Sequence, residues 1–243
     1  MPNTSLLKST TPLPKPHKPA APAKPASTPT SRSEVLSSAK TEVTEIIESD
    51  MEIEIPIDEP VMSVQLLCLD TYGTDPITKL RTARTNLVWI HREKQPRNLD
   101  PSGQRDRGVA EYKRELPIFL AAFKKLLCEF AWDVLLQAPS SKPHARSFAD
   151  AARELRKDTP SLIFSKRAEV SATTGASLAE IKAALSHEPQ IALQQYSRVL
   201  VVDDVFNDGK TVAAMILYLR EHGLQPDAKV TVAVALHVPR APH

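Results

Sequence analysis

The 243-residue chain predicts an open α/β fold: a mostly parallel sheet with helices on both faces, preceded by a disordered N-terminal tail. Three observations predict it. The strand candidates are continuous apolar runs, as strands buried on both faces require. They alternate with segments of helical apolar spacing, the pattern of βαβ units. The stretch VLVVDDVFNDGKT at 199–211 places two acids after such a run and a glycine before the next helix, the order of a ligand site at the carboxyl end of a parallel strand.

The folded part is expected from Val61 onward, so that 61–243 forms one domain. VQLLCLDTYG reads as a strand ending in a turn. KLRTARTNLVWIHREK has helical spacing at Leu80, Ala83, Leu87 and Ile90, and NLDPSGQRDRG reads as a polar loop. VAEYKRELPIFLAAFKKLLCEFA reads as helix, with Pro117 starting a new helix or kinking one. WDVLLQAP is a second buried strand. ARSFADAARELRK is a helix, SLIFS a short strand and SLAEIKAALSH another helix. The strand RVLVVDD, the helix TVAAMILYLREH with Gly223 as its C′ residue, and the strand KVTVAVALHV complete the order. There is no internal repeat.

Ahead of the domain, residues 2–29 carry eight prolines among Ala, Lys, Ser and Thr. Such a segment lacks the apolar surface to offset the entropy of ordering, so 1–40 reads as a disordered Pro/Ala/Lys-rich tail. Lys8, Lys15, Lys18, Lys24, Arg32 and Lys40 against Glu34 make it net +5. Residues 41–60 hold eight acids and no base and read as an acidic linker, with a short helix and then an alternating strand at MEIEIPI. The overall net charge of +2 leaves the domain mildly basic. A tail of this kind reads first as a solvated spacer and second as a nucleic-acid contact.

The two cysteines, Cys68 and Cys128, are too few and too far apart for a structural zinc site. Free thiols in a reducing compartment are the simplest reading. The N-terminus lacks the apolar core of a signal peptide, and no run approaches the roughly 18 apolar residues of a membrane span. A soluble cytoplasmic protein is expected.

Gly209-Lys210-Thr211 matches the tail of a nucleotide-binding P-loop, but that loop needs a glycine five positions earlier, where this chain has Asp204. Its carboxylate would face a phosphate, so a P-loop NTPase is rejected. The remaining pattern is a strand, the acids Asp203 and Asp204, a loop from Val205 to Lys210, and a helix opened by Thr211. Loop amides at a helix N-terminus hold phosphate, and paired carboxylates accept hydrogen bonds from a diol such as a ribose. The same residues would also serve as a buried strand whose aspartates cap the next helix.

This stretch resembles the phosphoribosyl pyrophosphate (PRPP) motif of type I phosphoribosyltransferases. There two acids end the strand and the phosphate loop usually reads Thr-Thr-Gly-x-Thr. Gly209 and Thr211 agree, while Asn207 and Asp208 replace hydroxyl residues and Lys210 offsets the added charge. The segment order is similar to the ComF-like branch. Asp133-Val134-Leu135-Leu136 leads to Pro139-Ser140-Ser141-Lys142, then Arg146-Ser147-Phe148, where Arg and Phe match an Arg-Gly-Phe-Asn-Gln-like segment. Lys166-Arg167 stands where that branch has a basic dipeptide before a flexible stretch. The resemblance covers about residues 85–240 and is densest at 199–211. The cysteine-rich zinc module that often precedes this domain is absent, so no metal site is carried over.

The resemblance implies a type I phosphoribosyltransferase-like fold and a glycosyltransferase activity: phosphoribosyl transfer from PRPP to a nitrogenous acceptor with release of diphosphate. Val205, Phe206, Asn207, Asp208, Gly209, Lys210 and Thr211 would hold the 5′-phosphate. Asp203 and Asp204 would engage the ribose diol and steady the charge developing on the ring. Magnesium would arrive with PRPP. Ser140, Ser141, Lys142 and Arg146 would face the diphosphate, and Lys166, Arg167, Thr173, Thr174 and Gly175 would belong to a closing lid. The alternative is a non-catalytic module of the same fold that senses PRPP or a nucleotide and acts in DNA uptake or another nucleic-acid process. The expected partners are thus a phosphoribosyl ligand and, second, nucleic acid, with no membrane; self-association and the acceptor base stay open. His91, His144 and His187 read as surface or structural, and Trp89 and Trp132 as core.

Overall fold

The structure, a computed structural model, describes residues 50–55, 62–74, 81–94, 103–167, 170 and 175–239. Its main sheet has seven strands in the order β1-β2-β9-β8-β5-β6-β7. They are β1 (Asp50–Ile55), β2 (Met62–Thr71), β5 (Val134–Gln137), β6 (Ser161–Lys166), β7 (Leu185–Glu188), β8 (Arg198–Phe206) and β9 (Lys229–His237). The five inner strands run parallel, and β1 and β7 close the two edges antiparallel. A separate two-stranded ribbon joins β3 (Gly73–Thr74) to β4 (Arg81–Thr82).

Helices cover both faces, as the apolar runs predict. One face packs against α1 (Val88–Glu93), α2 (Gln104–Leu127) and α3 (His144–Leu155), through Ile90, Phe119, Phe123 and Phe148. The other packs against α4 (Leu178–Ala183) and α5 (Lys210–Glu221), through Ile181, Met215, Ile216 and Leu219. Along β8 the side chains alternate between the two cores: Val199 and Val201 enter the α4/α5 core, Leu200 and Val202 the α1–α3 core.

Several boundaries differ from the sequence reading. The sheet starts at Asp50, inside the 41–60 segment. Met51, Ile53 and Ile55 alternate inward with Glu52 and Glu54 outward, so the expected alternating strand pairs in register with β2. The helix read across Leu80 to Ile90 contracts to the six residues of α1; residues 83–87 are irregular and Leu80 lies outside the described residues. Buried Asp70 organises that stretch, accepting hydrogen bonds from the Thr85 backbone N–H (2.8 Å) and hydroxyl (2.7 Å). α2 begins at Gln104, within the segment read as loop, and runs through Pro117 as one helix of 24 residues.

The helix read over SLAEIKAALSH also divides. α4 opens on a reciprocal Ser177–Glu180 cap and ends at Ala183; Leu185–Glu188 pairs with β6 instead, because Leu185 and His187 alternate into the core. α5 ends as expected: Gly223 has φ 102°, and the Leu224 N–H reaches back to the Leu219 carbonyl (2.9 Å).

Candidate functional site

Helical crossovers leave β8 and β5 in opposite directions. β8 passes through α5 to β9 on one side, and β5 passes through α3 to β6 on the other. The gap between the carboxyl ends of β8 and β5 is therefore a topological switch point, where open α/β sheets bind ligands. Asp203 and Asp204 stand at the end of β8, and Ser140 in the loop after β5. A shallow cavity lined by Ser63, Gln65, Trp132, Arg198 and Lys229 lies at the opposite, amino ends of the strands.

The two acids differ in exposure, yet they lie close enough for the Asp204 carboxyl to act on Asp203. Asp204 is 0% exposed. Its Oδ1 receives Lys94 Nζ at 2.5 Å, and its Oδ2 accepts from Ser140 Oγ at 3.3 Å. Burial pushes the Lys94 ammonium down, but the facing charges of Asp204 and Asp203 outweigh it and hold its pKa above the usual lysine value. Asp203 is half-buried, and its Oδ1 accepts the Asp204 backbone N–H at 2.8 Å. Desolvation, then the neighbouring Asp204 charge, raises its pKa above the ordinary carboxylate value. Asp203 is thus the more accessible of the two acids, while Asp204 is held by Lys94 and Ser140.

The loop after β8 is shorter than Val205 to Lys210. Val205 pairs with Leu236 and Phe206 with His237, so β8 continues to Phe206. Phe206 is turned into the core at 4% exposure. Asn207, Asp208 and Gly209 form the connection, and Lys210 and Thr211 open α5. Gly209 has φ 72°, and a Cβ there would lie 2.9 Å from Ile55 Cγ2 and 3.1 Å from the Phe206 ring. Only glycine fits this left-handed, crowded position. The Asp208 carboxylate accepts the Lys210 N–H at 3.1 Å. A side chain of the protein thus takes one helix N-terminal donor that a phosphate would otherwise use.

Of the residues expected to face a diphosphate, Ser140 and Lys142 reach the site. Ser140 Oγ bonds Asp204, and Lys142 Nζ lies 3.7 Å from Glu93 Oε1. Ser141 is exposed beside them. Arg146 is directed away: two residues beyond His144 in α3, it lies on another face of the helix and pairs outward with Asp150 at 3.9 Å. Lys166 and Arg167 separate. Lys166, at the end of β6, is half-buried; desolvation lowers its pKa, countered by the facing Asp203 charge. Arg167 reaches the Ala183 carbonyl at the end of α4 (3.2 Å). Gly175 has φ 82° in an open turn, and Thr173 and Thr174 lie outside the described residues.

Three site residues gave no signal in the sequence: Glu93, Lys94 and Tyr112. A fourth, His144, read as surface or structural, and the structure buries it at 3% exposure beside the acids' loop. His144 Nε2 lies 2.7 Å from Glu93 Oε2, and Nδ1 lies 3.2 Å from the Tyr112 hydroxyl. Burial raises Glu93, but the hydrogen bond and charge of His144, then Lys142, bring its pKa below the usual value. These residues come from three separated segments, so no spacing rule could group them.

Among the described residues no group of three or more His, Cys, Asp or Glu comes together as a metal centre. Of the side chains at this edge, the half-buried Asp203 carboxylate is the one that could hold a cation. Among the described residues no helix is long and apolar enough to cross a membrane.

No protein-family model matches this chain, and no curated protein matches it. Among solved structures, it is similar to a purine phosphoribosyltransferase from Pyrococcus horikoshii Ot3, with a TM-score of 0.36 and 18% identity, covering 52% of this chain and 84% of that one. It is also similar to the UMP synthase of Leishmania donovani, with a TM-score of 0.33 and 16% identity, covering 83% of this chain but only 31% of that one.

Proposed function

We propose that the carboxyl edge between β8 and β5 binds PRPP or another phosphoribosyl ligand, and that the protein transfers the phosphoribosyl group to a nitrogenous acceptor with release of diphosphate. The observation that carries this reading is the placement of Asp203 and the Gly209 loop together at the switch point of a parallel sheet. In this reading Asp203 accepts the ribose hydroxyls, and the amides of 207–211 with Thr211 hold the 5′-phosphate. Ser140, Ser141 and Lys142 face the diphosphate, and Lys166 adds positive charge from the far side of Asp203. As the diphosphate leaves, the ionised Asp203 carboxylate, favoured by the developing positive charge beside it, stabilises the cationic ring. Magnesium, when bound with PRPP, would screen the diphosphate charge.

The order of segments along the chain supports placement in the ComF-like branch, and the free Cys68 and Cys128 support a reducing, cytoplasmic setting. The second reading is a non-catalytic sensor of the same ligand, working in a nucleic-acid process through the basic domain and tail. Two contacts favour it: Asp208 occupies a donor of the phosphate loop, and Asp204 is held by Lys94.

Calorimetric titration with PRPP, with and without Mg²⁺, beside a screen of bases for diphosphate release, separates the readings. Binding with release supports the transferase. Binding without release against any base supports the sensor, and no binding overturns both.

A further inference from the structure

Asp204 is held from two sides, and those two sides are tied to each other. Lys94 comes from the end of α1, and Ser140 comes from the β5–α3 loop. Glu93, the residue before Lys94, bonds His144, four residues after Ser140. Three contacts and two short chain links close a ring: Asp204 to Lys94, its neighbour Glu93 to His144, and Ser140, four residues before His144, back to Asp204. Further bonds brace it. The Ser140 hydroxyl accepts the Lys142 N–H at 3.3 Å, Lys142 Nζ lies near Glu93, and an Arg105 guanidinium N–H donates to the Glu93 carbonyl.

A helix of six residues has little stability of its own, so the end of α1 is placed by its contacts. A carboxylate only accepts, so His144 Nε2 donates to Glu93; in the neutral ring Nδ1 then accepts from the Tyr112 hydroxyl. Tyr112 is 0% exposed and stacks on Phe119 at 6.1 Å. The imidazole is thereby anchored to the rigid body of α2.

Resting on the ligand reading above, we infer that Glu93 and His144 are positioning residues: their hydrogen bond sets Lys94 against Asp204 and fixes the 140–142 loop, holding the ligand site in its binding geometry. Neither side chain needs to touch the ligand.

The test compares Glu93→Ala, which removes the acceptor, with Glu93→Gln, which removes the same charge but keeps an oxygen for His144. Any purely electrostatic effect on an anionic ligand is common to both. Two quantities are read on the full chain: the amine-labelling rate of Lys94 in the free protein, referenced to exposed Lys157, and the dissociation constant for PRPP with Mg²⁺. Glu93→Ala should label Lys94 about fivefold faster and bind PRPP about tenfold more weakly, the scale of coupling within one contact network. Glu93→Gln should stay within about twofold of the parent in both. His144→Leu and His144→Gln form the matching pair from the other side, since glutamine can still donate to Glu93. Unchanged Lys94 labelling in Glu93→Ala, or equal losses in Ala and Gln variants, overturns the positioning role. If the parent protein binds no PRPP, the ligand reading falls, and the labelling arm still decides whether the ring holds Lys94.

Discussion

The loop that leaves β8 for α5 is made of residues adjacent in the chain. The corner that faces Asp204 is assembled from 93–94, 140–144 and Tyr112, brought together only by the fold. In the loop, one glycine conformation and one local cap define the shape. In the corner, a fully buried carboxylate depends on a lysine 110 positions away in sequence. Adjacent acids, Asp203 and Asp204, therefore differ in surroundings: one keeps partial exposure, and the other is fully buried against Lys94 and Ser140.

The sharpest way to break that contrast is to remove each acid alone. Asp204→Ala removes a fully buried carboxylate and the main partner of Lys94, whose side chain keeps 31% exposure, and should cost about 2 kcal/mol in urea unfolding. The double change Lys94→Met with Asp204→Leu should recover most of that loss, since apolar replacements need no charge solvated. Asp203→Asn should behave oppositely. Its carboxyl has a raised folded pKa, so the folded state binds the proton more tightly than the unfolded chain. Asp203 therefore weakens stability as pH rises above the ordinary aspartate value of 3.8. The Asn variant should be at least as stable as the parent at neutral pH, while losing ribose binding. Equal destabilisation by both single changes would erase the distinction.

On the loop side, Gly209→Ala forces a Cβ into the left-handed region and against Ile55 and Phe206. It should cost about 2 kcal/mol in thermal or urea unfolding. A silent substitution would show that the loop relaxes freely and that the β1 edge does not define it.

Asp208→Thr is the next smaller effect. It removes the negative charge from the α5 N-terminus while keeping a side chain able to cap it. PRPP binding should tighten about tenfold at low salt, an effect diminished by screening at high salt. Weaker binding would give Asp208 a positive role and move the phosphate elsewhere.

The smallest expected effect lies away from both regions and serves as a reference. His187 is 2% exposed, neither ring nitrogen has a hydrogen-bond partner among the described residues, and Phe164, Tyr218 and His222 surround it. Desolvation, then the His222 charge, lowers its pKa from 6.5. The unfolded chain thus takes the proton first, and stability should fall as pH drops below about 6.5. His187→Phe should flatten that slope, a change of about 1 kcal/mol near pH 5 in urea unfolding. An unaltered slope would assign the acid sensitivity to other groups.

What could be read without the fold follows from local rules. The apolar runs of β5, β8 and β9 and the helical spacing of α3 and α5 each depend on residues a few positions apart. Gly209 and Gly223 mark backbone turns that any side chain would strain. That was enough for a mostly parallel sheet and its helical layers, and for a glycine loop read at 205–210, which the structure shortens to Asn207–Gly209. The boundaries that moved were those where a short segment had two local solutions. Leu185–Glu188 fits a helix end by spacing and an edge strand by alternation, and pairing with β6 decided for the strand.

The sequence by itself determined that an acid-ended strand would meet a glycine turn at a helix N-terminus, because those positions are consecutive. It could not determine that Asp204 would be fully buried while Asp203 keeps partial exposure, since neighbouring strand positions acquire different surroundings only when helices cover the sheet. Nor could it show that Glu93, Lys94 and His144 would serve Asp204. Burying a carboxylate requires a compensating charge and donors within hydrogen-bond reach, and which distant residues supply them is decided by how α1, α2 and α3 pack on the sheet.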